Sequence, residues 1–109
     1  MSKPSVSLTP QQPLTTIDRW RAVALDFHAV QWRLSQDSLR PDFEPADLAR
    51  LRRLPASKAE KAVFAFLLHI YNSSNRFDLA EISRWDEDHI KAFGRWVSGA
   101  LTGRPCHYF

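Results

Sequence analysis

Cysteine is almost missing from this chain, with Cys106 the only one in 109 residues. An internal disulfide and a multi-cysteine zinc site are therefore excluded, and a reducing, cytoplasmic setting fits. Glycine is scarce too. Gly94, Gly99 and Gly103 lack the spacing of a phosphate-cradling loop, and Gly94 and Gly99, in helical sequence, read as points of close helix approach. No apolar run approaches the roughly 18 residues of a membrane span. The first residues carry one charge, Lys3, and no apolar stretch, which is unlike a secretory signal or a membrane anchor. Strong charge of either sign is also lacking. Fifteen basic residues against twelve acidic ones leave +3. That permits an acidic partner but falls short of the concentrated charge of a dedicated DNA binder. No segment alternates polar and apolar residues long enough for a strand, and there is no internal repeat.

What is present points to helices. A chain of this length, 44% hydrophobic and 25% charged, suits one domain that buries a core without staples. Residues 1–15, "MSKPSVSLTPQQPLT", hold three prolines and little to bury, and read as a disordered tail. Val6 and Leu8 are the residues a docking peptide would use there. From Thr15 or Thr16, the residues Ile17, Trp20, Val23, Ala24, Phe27, Val30 and Leu34 recur at spacings of three and four, one helix face to about Ser35. Asp18 suits its first turn. Pro41 and Pro45 interrupt. Pro45 fits a first helical turn, and "ADLARLRRL" follows with Leu48, Leu51 and Leu54 as one apolar edge, stopped by Pro55.

Ser57 stands three residues before Glu60, the spacing of a capping box. The helix it opens, "KAVFAFLLHIYN", is apolar on most sides and belongs at the centre of the core. Asp78 caps a short helix, "LAEISR". Asp86 caps a last one, "EDHIKAFGRWVSGAL", whose Ile90, Phe93, Val97, Ala100 and Leu101 form a strict stripe. Gly103 and Pro105 are the stop. The expectation is an all-α, compact bundle of four to five helices spanning residues 16–109, behind the tail.

The pair formed by "FDLAEISRW" and "DEDHIKAFGRWV" has the outline of a helix-turn-helix, with Ala80, Ile82 and Ile90 in its apolar positions. Its chemistry disagrees. A recognition helix reads bases with its N-terminal residues, and here those are Asp86, Glu87 and Asp88. Three carboxylates among phosphates repel. A cap that complements the helix dipole explains the same residues.

The apolar helix with Phe66, Leu67, Leu68, Tyr71 and Asn72, then Phe77, Asp78 and Leu79, then Asp86, then the terminal His107 and Tyr108, resembles a family of small uncharacterised proteins carried by bacterial plasmids and integrative mobile elements. The resemblance covers about residues 58–109. It implies a mobile-element origin and fixes no molecular function.

The remaining candidates divide by chemistry. His28, His69, His89 and His107 form no i, i+4 ligand pair. His28 and His69 read as partly buried, hydrogen-bonded residues. Cys106 and His107 are adjacent, so their side chains diverge, and a Cys–His nucleophile would need a pocket around them. No enzyme, cofactor or metal is expected. The basic residues carry more. Arg50, Arg52 and Arg53, with Arg40 upstream, form either a solvated face or a contact for an acidic partner. Each of the four tryptophans has an arginine neighbour, which reads as tryptophans on the core rim with cations outside. Trp and Arg are also the residues that dominate interfaces.

Two functions follow. One is a non-enzymatic protein-interaction module, a regulator or inhibitor of a host complex in one version, contacting its partner through Arg50, Arg52, Arg53 and Trp85. The other is a nucleic-acid-binding accessory protein that grips phosphates, weakly and non-specifically, through Arg84, Lys91 and Arg95 or through Arg50, Arg52 and Arg53. Neither involves a membrane, and self-association is compatible with both.

Overall fold

The computed structural model describes residues 14–109. The first thirteen residues of the expected tail lie outside the described residues. The elements are α1 (Thr16–Ala24), α2 (His28–Ser35), α3 (Pro45–Leu51), α4 (Lys58–Tyr71), a 3₁₀ helix (Leu79–Arg84) and α5 (Glu87–Ser98). The described residues contain no strand. The all-α class therefore holds, with six helical elements where four or five were expected.

The extra element comes from a break in the first helix. Thr15 and Asp18 cap α1 reciprocally, but α1 ends at Ala24, not near Ser35. Asp26 and Phe27 close it with i→i+3 bonds to Val23 and Ala24. Phe27 is extended (φ −96°, ψ 125°), which drives its fully buried ring among Phe66, Trp85 and His89. The groups freed by the break find partners elsewhere. The Ala29 N–H donates to His89 Nε2 at 2.9 Å, and Gln31 Nε2 donates to the Leu25 carbonyl at 2.8 Å. Apolar spacing runs through the break unchanged, because both halves face the same core.

α3 starts on Pro45, with Asp47 accepting from the Glu44 N–H. It stops at Leu51, three residues before the expected end. Two i→i+3 bonds, Arg53 to Arg50 and Leu54 to Leu51, tighten the chain there. Leu48 and Leu51 are buried, while Leu54 is rotated off that edge into solvent.

α4 is the centre of the core, as its composition requires, with seven buried residues from Ala62 to Ile70. Ser57 Oγ accepts from the Glu60 N–H at 3.1 Å. The other half of the expected capping box is replaced. The Glu60 carboxylate instead makes a two-point bond with Arg33 of α2, at 2.8 and 2.7 Å. Phe66 is the hub, its ring 5.1–5.7 Å from those of Phe27, Phe77, Trp85, Phe93 and Trp96. On the opposite side Trp20 donates to the Leu67 carbonyl at 2.8 Å and packs edge-on to Phe43 and Tyr71.

α5 ends at Ser98 rather than near Leu101. Gly99 takes the left-handed conformation (φ 84°), and Ala100 N donates back to the Arg95 carbonyl at 2.9 Å. This is a Schellman-type stop that needs glycine. A Cβ on Gly99 would also lie 2.8 Å from the Arg104–Pro105 peptide. The reversal folds the C-terminal residues back onto the helices. Phe109 N donates to the Ile70 carbonyl at 2.7 Å, and Trp96 Nε1 to the His107 carbonyl at 2.9 Å.

Candidate interaction surface

The outward side of α5 carries partly exposed apolar residues. Successive residues of a helix advance by about 100°. His89, Ala92 and Trp96 therefore share one side, and all three are buried. Ile90, Gly94 and Val97 share another, roughly 140° away. Ile90 is 44% and Val97 37% exposed, and Gly94 is exposed between them. Phe93 lies at the boundary, half-buried. The sequence stripe Ile90–Phe93–Val97–Leu101 is thus only half-buried, although its spacing is that of a core face. Beside Phe93 a cleft of about 230 Å³ is lined by Phe66, His69, Phe77, Leu79, Trp96 and Tyr108. Leu79 (66% exposed) and Tyr108 stand over it. Tyr108 is held by His69, whose Nε2 is 3.0 Å from the hydroxyl while Nδ1 is 2.8 Å from the Asn75 carbonyl.

The helix-turn-helix outline does not survive this geometry. Its first member is a six-residue 3₁₀ helix, Ala80 is exposed, and Ile90 turns outward instead of into the motif. Asp86 caps α5 by accepting from the His89 N–H at 3.0 Å. That bond, more than the nearby imidazole, holds its carboxyl below the ordinary carboxylate range.

His89 is a functional group that sequence reasoning passed over. It is buried, and its Nε2 accepts the Ala29 N–H in the first turn of α2. The proton must then sit on Nδ1, which lies 2.9 Å from Asp86 Oδ1, off-line for a straight hydrogen bond. Burial pushes the imidazole below its ordinary value. Asp86 opposes that, and His28 across the groove adds to it. This groove, of about 450 Å³, runs between α2 and the start of α4, past Trp32, Pro55 and Ser57. His28 itself is exposed, contrary to the expectation of a partly buried residue.

The residues singled out by sequence are scattered. Trp85 is 5% exposed and packed against Phe27, Phe66 and Phe93, which makes it a core residue and removes it as a contact. Trp20 and Trp96 are core residues as well. Only Trp32 is a rim tryptophan, at 47% exposed with the Arg33 guanidinium 5.3 Å over its ring. The three expected phosphate grips each have a carboxylate already. Arg84 is 3.9 Å from Glu81, Lys91 is 3.2 Å from Glu87, and Arg95 bonds Asp26 at 2.7 Å. Arg50 is 3.6 Å from Asp47. Arg52 and Arg53 are exposed on the turn after α3.

Cys106 is exposed, with Sγ 3.8 Å from the Val97 carbonyl. The His107 ring turns the other way, stacking on Phe109 at 4.4 Å. Among the described residues no group of three His, Cys, Asp or Glu side chains is placed to hold a metal ion, and no helix is long and apolar enough to cross a membrane. Comparison with protein-family models, curated proteins and solved structures gave no match to this chain.

Proposed function

We propose that this protein is a small non-enzymatic interaction module that docks another polypeptide through the outward face of α5. The observation that carries this reading is the direction of that helix. Its apolar stripe, Ile90 to Val97, faces solvent beside the Leu79–Tyr108 cleft. Covering the exposed part of Ile90 and Val97, less than half of each residue, is worth under half of the roughly 1.5–3 kcal/mol of a full aliphatic burial, and no element of the described chain covers it. A contiguous apolar face of this kind marks a protein contact. A cytoplasmic setting and a regulatory role toward a host complex belong to the same proposal. They rest on the single cysteine and on the resemblance of residues 58–109 to mobile-element proteins.

Nucleic-acid binding is the second reading. Arg52 and Arg53 support it, while the carboxylates beside Arg84, Lys91 and Arg95 oppose it. A photo-crosslinker at position 97 tests the first reading in the native host. It should capture one defined polypeptide, and Ile90→Lys should abolish that capture while leaving the circular dichroism unchanged. Capture only from position 52, of nucleic acid and lost at about 200 mM salt, would favour the second.

A further inference from the structure

Most cations of the described chain have a carboxylate of their own, and the turn between α3 and α4 is the exception. From Arg52 to Lys61 the sequence carries four cations and one carboxylate, Glu60. Glu60 is already committed to Arg33 by two bonds, at 2.8 and 2.7 Å. Asp47, the acid before the turn, lies beside Arg50. Among the described residues, Arg52, Arg53, Lys58 and Lys61 make no ion pair. Arg52, Arg53 and Lys58 are exposed. Like charges gathered in this way repel one another, and an anion from outside relieves the repulsion.

An aromatic platform adjoins them. Trp32, the one exposed tryptophan, lines a groove of about 450 Å³ together with Pro55, Ala56 and Ser57 of the same turn. The Arg33 guanidinium, pinned by Glu60, sits 5.3 Å over the ring and fixes one side of the indole. The residue still keeps 47% of its surface in water. An open, held indole beside unmatched cations is the arrangement on which unpaired bases stack while their phosphates are neutralised.

We infer that Trp32 and the α3–α4 turn form a binding site for single-stranded nucleic acid. One base stacks on Trp32, and the flanking phosphates lie on Arg52, Arg53 and Lys58. The inference rests on the nucleic-acid reading of function and is separate from the α5 face. An acidic peptide would be served by the cations alone, without the indole. Asp86 also lines the groove, with an exposed carboxylate. Its oxygens accept from a base N–H and repel a phosphate. The base therefore enters the groove, and the backbone stays over the turn.

Fluorescence anisotropy of the full chain tests this, with a labelled oligothymidylate of about fifteen nucleotides and a duplex of the same length. The strand should bind with a dissociation constant on the order of 10⁻⁴–10⁻⁶ M at physiological salt. The logarithm of the association constant should fall against that of salt with a slope of about −2, roughly 0.7 for each of the three cations. Trp32→Ala should weaken the strand about fivefold to a hundredfold and leave that slope unchanged. Trp32→Phe, which keeps a ring, should retain most of the affinity. The Arg52→Gln, Arg53→Gln double variant should instead reduce the slope to about −0.7, with circular dichroism unchanged. Strand and duplex bound alike, both indifferent to Trp32→Ala, would overturn the stacking site and leave the nucleic-acid reading standing. No binding of either at about 50 mM salt would overturn both. Polyglutamate bound as tightly as the strand would reassign the turn to an acidic polypeptide and overturn the inference.

Discussion

At His89 one imidazole joins two helices, because its Nε2 accepts the Ala29 N–H in the first turn of α2. Only the neutral ring can do so. Protonation would set an N–H against an N–H in a buried site, with Asp86, Asp88 and His28 the charged or titratable groups acting on it. Its folded pKa lies below the ordinary 6.5, so the unfolded chain binds the proton more readily. The sign follows from linkage: this contribution to stability is fully present above about pH 6.5 and is lost as pH falls through the folded value. Thermal unfolding between about pH 7.5 and 5 should show a falling midpoint. His89→Gln, whose carbonyl can still accept from Ala29, should flatten that slope. An equal slope in both would mean that His89 does not titrate with folding.

Ser57 and Glu60 are expected to separate in the same way. Ser57→Ala removes one cap bond and should lower stability by about 0.5–2 kcal/mol. Glu60→Gln leaves the Arg33 guanidinium, 13% exposed, without its carboxylate, and should lower it more, by roughly 3 kcal/mol. Urea midpoints rank the two. A larger loss at Ser57 would show that Glu60 works mainly as a cap residue.

At the scale of elements, legibility followed the source of the ordering force. Caps made by near neighbours were readable. Thr15, Ser57, Asp78 and Asp86 each accept an N–H two or three residues on, and Pro45 opens α3. Features settled by distant residues were not. The break at Phe27 depends on His89, about sixty residues away, and Glu60 turns to Arg33 on another helix. α5 was misread for a related reason. Its core side is His89, Ala92 and Trp96, a set that hydropathy scores as mixed, whereas its outward side is the one with the core-like stripe. Two local signs were present: an interior glycine on the apolar side, and Gly99 with the αL stop it provides.

The C-terminal residues belong at this scale too. The Ile70 carbonyl accepts from Phe109 N, and His69 holds Tyr108. Deleting residues 106–109 should lower stability by roughly 1.5–3 kcal/mol, about that of one ring side chain. An unchanged thermal midpoint would mean that the fold-back contributes nothing and that these aromatics serve a partner alone.

The whole molecule divides its surface in two. The buried cluster around Phe66 holds the fold, and the outward face of α5 is left for association. If that division is right, charges on the face should cost the monomer almost nothing, since surface changes away from special features stay within about 0.5 kcal/mol. If the stripe is instead part of the core, two buried charges would unfold the chain. The direct measurement is the unfolding midpoint of the Ile90→Lys, Val97→Lys double variant. The expected midpoint lies within a few degrees of wild type. Loss of the cooperative transition, or a drop of several kcal/mol, would contradict it.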